Sequence, residues 1–201
     1  MKKSRTPLIA VLAIAAVFAI AVGSRLLVWS GGDHGGGGGG VIGGPFTLTD
    51  QDGGTVTDAD FRGRWMLIYF GYTFCPDVCP TSLGVIAAAM DKLAPDERDK
   101  LVPIFVSVDP DRDTPAVLKE YVAAFHPALL GMTGTAEQLA PVMKAYKVYA
   151  AKVNNDGEPT AYTVDHSSIL YLMGPDGRFV AHFPHGTTAD QLAAGLKKHL
   201  D

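Results

Sequence analysis

Cysteine is scarce. The 201 residues hold two, and both fall in one short stretch. Two thiols in a single loop do not make a disulfide scaffold, so the fold must rest on an apolar core. Basic residues are also thinly spread. Of 17 Lys and Arg, four (Lys2, Lys3, Arg5 and Arg25) lie in residues 1–44 beside one acid, Asp33, which leaves the remainder at a net charge of −7. No basic stripe is visible, and the nucleic-acid-binding class is set aside. Beyond the N-terminal region about 160 residues remain, enough for one domain with a proper core.

Long apolar runs are confined to one place outside that domain. Residues 1–6 form a basic flank, and an unbroken apolar run from Leu8 to Val22 follows. Residues 7–24 as a helix would span roughly 27 Å, close to the hydrocarbon thickness of a bilayer. Arg25 can then snorkel to the far interface, and Trp29 suits an interfacial belt. Residues 7–29 are therefore expected to be a single membrane anchor, with a cleaved signal peptide as the competing reading. Either reading leaves the basic flank in the cytoplasm and sends the domain across the membrane, into the periplasm if the organism is a bacterium. Residues 30–44 read as a flexible Gly-rich linker, with ten glycines between 31 and 44 and a reach of roughly 20 Å. Asp33 and His34 within it read as solvated spacer residues. The domain is expected over residues 45–201.

The stretch that organises this domain is Phe70-Gly71-Tyr72-Thr73-Phe74-Cys75-Pro76-Asp77-Val78-Cys79-Pro80. It follows an apolar run, Trp65 to Phe70, and precedes an Ala-rich segment, so it reads as a strand–loop–helix junction. Such junctions are where α/β folds place their chemistry. If Cys79 opens the helix, the positive end of the helix dipole favours its thiolate. Cys75, one turn upstream, can face the same way. That geometry allows a metal held between two sulfurs or a Cys75–Cys79 disulfide. Asp77 reads as solvated.

The rest of the domain reads as alternating elements. Phe46 to Thr49 and Thr55 to Thr57 flank Asp52-Gly53-Gly54, a hairpin signal. A helix runs from Cys79 or Pro80 to Leu93, ended by Ala94-Pro95, and Leu101 to Val108 is a second strand buried on both faces. Thr114, Thr135 and Thr188 read as caps of three further helices. Val148 to Val153 is extended, Asn154 to Thr160 is a polar loop, and Ser167 to Met173 pairs with Arg178 to Phe183 through the turn Pro175-Asp176-Gly177. A central parallel pair joined by a helix, then a hairpin and a final helix, is the thioredoxin arrangement. The expected fold is thus α/β and thioredoxin-like: a central mixed sheet flanked by helices, with an N-terminal hairpin extension.

Proline is missing where thioredoxins carry one. The loop expected to pack against the redox loop reads Val164-Asp165-His166-Ser167-Ser168. An imidazole in place of a proline turns a thiol-exchange surface into a possible S,S,N site. The other histidines are less well placed: His126 reads as a helix-end residue, and His182 and His185 as surface residues. Soft thiolates select Cu(I), and imidazole serves both copper states. A structural zinc site takes four protein ligands, and only three converge here. Asp165 is a candidate to orient His166, or a loop-capping residue. Asp109 and the acidic residues after it read as turn and cap chemistry, although such a loop can also face the cysteines.

Three segments together closely resemble the Sco/SenC family of copper proteins: Gly71 to Pro80, Ser107-Val108-Asp109-Pro110-Asp111-Arg112-Asp113-Thr114-Pro115, and Val164-Asp165-His166-Ser167. The resemblance orders the chain from about Pro45 to its end. It implies one copper, Cu(I) or Cu(II), on Cys75, Cys79 and His166. It implies a metallochaperone rather than an enzyme, one that assists maturation of the dinuclear copper site in subunit II of cytochrome c oxidase, as metal donor, thiol reductant or both. An upstream copper donor and a thiol reductant would be its other partners. The Gly-rich tether is not part of the family pattern.

Two other functions compete. A membrane-tethered thiol–disulfide oxidoreductase without obligatory copper would use the same redox pair. A thiol peroxidase would need a lone peroxidatic thiolate, and a second cysteine four residues away would instead close a disulfide at once.

Overall fold

The computed structural model describes residues 41–154 and 162–200. The expected anchor at 7–29, most of the linker, and the polar loop after Asn154 lie outside the described residues. No described helix is long and apolar enough to cross a membrane.

Nine strands and five α-helices follow one another in the described chain. Strands β1 (Thr47–Asp50) and β2 (Thr55–Thr57) form the expected hairpin, and a 3-10 turn (Asp58–Phe61) leads to β3 (Trp65–Gly71). Next come α1 (Val78–Met90), α2 (Pro95–Lys100), β4 (Leu101–Ser107), α3 (Pro115–Ala123), β5 (Leu130–Thr133) and α4 (Ala136–Ala145). The chain closes with β6 (Ala150–Asn154), β7 (Tyr162–His166), β8 (Ile169–Met173), β9 (Phe179–Pro184) and α5 (Ala189–Leu200).

Seven strands make one mixed sheet in the order β2-β1-β5-β4-β3-β8-β9. Strands β3, β4 and β5 are parallel, and β8 returns antiparallel to β3, with Ile68 opposite Tyr171. The unbroken apolar runs of β3 and β4 now have a cause. Each strand has neighbours on both sides and is covered on both faces, so six of seven residues in β3 and all seven in β4 are buried. The hairpin extends the sheet through an antiparallel pairing of β1 with β5. Helix α5 packs on α1, burying Leu192, Leu196 and Leu200 from one face. The mixed sheet with flanking helices is the thioredoxin-like arrangement expected from the sequence.

The capping residues behave as their types dictate. The Thr114 and Thr135 hydroxyls accept from the amides of Val117 and Gln138, and Thr188 with Gln191 forms a reciprocal pair ahead of α5.

Two expectations are corrected. Ala94-Pro95 does not merely end a helix. Pro95 is the first residue of the short α2, and the Glu97 carboxylate accepts the Ala94 amide at 2.6 Å. Among the described residues ahead of β1, Ile42 packs against the core. Gly43, at φ +88°, donates its amide to the Ala145 carbonyl, and a Cβ there would run into the Met173 methyl. Finally, Val164-Asp165-His166 is the end of a strand rather than a loop. Strands β6 and β7 pair as a two-stranded ribbon, Ala150 opposite His166, that shares no ladder with the main sheet.

Candidate metal centre

Strand β3 ends at Gly71, and α1 begins at Val78, so the cysteine loop is a turn of six residues at the edge of the core. Cys75 is half-buried and Cys79 is buried, and both are free thiols. Cys79 is the second residue of α1, and its amide donates to the Cys75 sulfur at 3.4 Å. This contact holds the two side chains on one side of the helix start. His166 arrives from the other direction, at the end of β7, with Nε2 3.3 Å from the Cys79 sulfur. The donor atoms of Cys75, Cys79 and His166 all lie within 4.8 Å of one another. Among the described residues this is the one cluster of three or more metal-ligating side chains.

The surroundings of the three groups are mostly aromatic. Tyr69 and Tyr72 meet the His166 ring edge-on, at centroid distances of 6.1 and 5.8 Å. Burial lowers the pKa of His166, so the imidazole is neutral at pH 7 and available as a ligand. Its Nδ1 lies 3.3 Å from the Ser167 carbonyl oxygen. The tautomer that donates there leaves the Nε2 lone pair facing the sulfur. Asp165 does not orient the ring. It is exposed, and neighbouring residues on a strand point to opposite faces. A main-chain carbonyl fills that role instead.

Cys79 departs from expectation. The helix dipole was to favour its thiolate, but burial dominates and pushes the Cys79 thiol well above its ordinary value, with Cys75 adding to the rise. A metal binding here must displace that proton. Asp77 is exposed as expected, and its carboxylate accepts the Thr81 hydroxyl at 3.3 Å.

The acidic turn after β4 is the part that sequence reasoning undervalued. It does face the cysteines. Asp113, fully buried, accepts from the Thr73 amide at 2.9 Å, the Thr73 hydroxyl at 2.6 Å and the Ser107 hydroxyl at 2.6 Å. It therefore ties the cysteine loop to the end of β4. Burial raises the Asp113 pKa, and those three donors oppose the rise. The signal available was an Asp-rich turn placed at the C-terminal end of a buried parallel strand. Gly71 was also missed. A Cβ there would stand 2.7 Å from the Cys79 sulfur and 2.9 Å from Phe105, so only glycine lets the helix start approach the strand this closely. Three other described histidines stay apart: His126 takes the Ala128 amide at a helix end, and His182 and His185 are exposed.

Comparison with known proteins agrees with this geometry. The family model described as SCO1/SenC matches residues 36–201. The chain belongs to the SCO1/SenC family. It is similar to "Protein SCO1 homolog 1, mitochondrial" of Arabidopsis thaliana, with 43% identity over 79% of this chain and 47% of the relative. The chain spans about half the length of the first curated relatives it matches. Among solved structures, ScoI of Bradyrhizobium japonicum with copper bound is 49% identical, with a TM-score of 0.71 over 79% of this chain and 99% of that one. BsSco, described with a disulfide switch as a member of the Sco family of cytochrome c oxidase assembly proteins, is 28% identical, with a TM-score of 0.61 over 80% and 94% of the two chains. In this SCO1/SenC chain the donor set fits copper: two soft sulfurs for Cu(I), and an imidazole that serves either state.

Proposed function

We propose that the protein is a copper metallochaperone that holds one copper ion per chain on Cys75, Cys79 and His166. The observation that carries this reading is the convergence of those three donor atoms within 4.8 Å. Bound there, copper would be available for ligand exchange with a receiving protein. The chain's own contribution is to hold two sulfurs and a neutral imidazole together, and to keep the Cys79 proton in place until metal arrives. We infer that the recipient is the dinuclear copper site in subunit II of cytochrome c oxidase. The kinship with proteins described as oxidase assembly factors supports this inference. An upstream copper donor and a thiol reductant would complete the cycle. The basic flank and apolar run of residues 1–29 support a single anchor in a bacterial inner membrane, with the domain in the periplasm.

A second role is favoured by the two free thiols themselves. Cys75 and Cys79 can pass two electrons to a disulfide in the recipient and emerge as an intramolecular disulfide.

The deciding experiment is copper loading of the reduced protein, followed by metal analysis and X-ray absorption. One copper per chain with two sulfurs and one nitrogen is expected. Spectra with only oxygen and nitrogen neighbours, or no tight binding, would refute the reading.

A further inference from the structure

Strand β7 carries His166 at one end and Tyr162 at the other. Residues 162, 164 and 166 share one strand face, and Tyr162 and Val164 are buried. Four strand steps separate the two aromatic residues by roughly 13 Å. The β6–β7 ribbon shares no ladder with the main sheet, so side chains must fix where it sits. Val164 packs into the core and His166 against Tyr69 and Tyr72, and the far end of the strand is held by side chains of the acidic turn. The Tyr162 hydroxyl donates to Asp109 at 2.7 Å, and Arg112 Nη1 donates to the Tyr162 carbonyl at 3.0 Å. Arg112 Nε donates to the other Asp109 oxygen at 2.6 Å, and Lys152 of β6 pairs with Asp111. The Arg112 guanidinium lies 3.7 Å from the Tyr162 ring centre, 4.7 Å from that of Phe74 and 5.7 Å from that of Tyr72. Its Nη2 is buried with no hydrogen-bond partner, so the aromatic faces hold it.

The turn thus reaches both halves of the centre. Asp113 holds the cysteine loop through Thr73, and Asp109 and Arg112 hold the histidine strand through Tyr162. We propose that the Asp109–Arg112–Tyr162 cluster is a latch that sets the distance from His166 to the two sulfurs, with Tyr162 and Arg112 as positioning residues. The inference rests on the copper reading above for its affinity readout, but the latch itself is a property of the metal-free chain. A slack latch removes the nitrogen ligand while leaving both sulfurs in place. Cu(II) should suffer from that more than Cu(I), which two thiolates can hold alone.

The test uses Tyr162→Phe, which deletes one hydroxyl from a buried ring, and Arg112→Lys, which keeps the charge but loses the fork. Loss of an outer partner of a metal ligand costs about 10–100-fold in affinity. We expect each variant to lose about tenfold or more in Cu(II) affinity and less than about threefold in Cu(I). In the metal-free protein, amide exchange across residues 163–166 should quicken several-fold, while β3 and β4 stay protected. Unchanged affinities, or equal losses for both copper states, would overturn the latch. If the wild type holds Cu(II) no better than His166→Ala, the copper reading fails instead. Exchange in the metal-free variants then decides the latch, and an unchanged rate overturns it.

Discussion

Gly71→Ala tests how tightly the centre is built. Its Cβ would sit 2.7 Å from the Cys79 sulfur, 2.9 Å from Phe105 Cε2 and 3.3 Å from Tyr69 Cε1, where ordinary contact begins at 3.4 Å. Relief needs a shift of about 0.7 Å at the sulfur. All three neighbours are buried, with no exposed surface to retreat into, and overpacking of this kind costs about 1–3 kcal/mol. For a domain of this size that is a fall in Tm of roughly 2–12 °C. The sulfur is also one of the three donors, and ligand distances must hold within about 0.2 Å. Copper affinity should therefore fall more than tenfold. Gly84→Ala is the matched control. It makes the same change within α1, where a Cβ meets nothing within 4 Å, and should stabilise by about 0.5–1 kcal/mol with unchanged copper affinity. The assays are thermal unfolding of the reduced, metal-free protein and Cu(I) competition against a chelator of known affinity. If Gly71→Ala melts and binds like the wild type, the packing argument is wrong.

His166→Ala is expected to lower Cu(II) affinity severely and Cu(I) affinity less, while the Cys75–Cys79 reduction potential moves by less than roughly 30 mV. Wild-type affinity for both copper states would remove His166 from the centre. Oxidation should close an intramolecular Cys75–Cys79 disulfide that abolishes copper binding, and mass spectrometry finding only cross-linked dimers would count against it. Because burial depresses the His166 pKa, the unfolded chain binds more protons below pH 6.5. Stability of the metal-free protein is thus retained above pH 6.5 and falls as the pH drops below it. His166→Gln should remove that part of the slope in thermal unfolding, and an unaltered slope would refute it.

The fold was legible where one element supplied its own signal. Trp65 to Phe70 and Leu101 to Val108 read as buried central strands, and Thr114, Thr135 and Thr188 announced helix starts through chemistry confined to one turn. Legibility failed where partners decided the outcome. Strand β7 alternates as a strand should over Tyr162-Thr163-Val164, but it has one neighbour, β6, and with no apolar run to mark it Val164-Asp165-His166 read as loop. Pro95 was ambiguous for a related reason. A proline ends one helix and begins the next with the same fixed φ, and only the Glu97 carboxylate on the Ala94 amide distinguishes the two roles.

The centre divides the same way. Cys75, Cys79 and His166 could be picked out because few side chains bind soft metals, and the chain has few of them. Type alone narrowed the choice, and the missing proline marked the place. The dipole argument for Cys79 used a local feature, the helix start, and was overridden by burial, which depends on Gly71, Phe105 and Tyr69 closing around the sulfur. Asp109, Arg112, Asp113 and Tyr162 are ordinary residues, and the contacts that join the turn to the cysteine loop and to β7 span 40 to 53 positions. A donor set is thus written in residue types, but its geometry is written in the packing around it. The acidic turn occupies that second level: through Tyr162 it ties β7 to the same turn that holds the cysteine loop, and so adds to the aromatic packing that keeps the imidazole at the sulfurs.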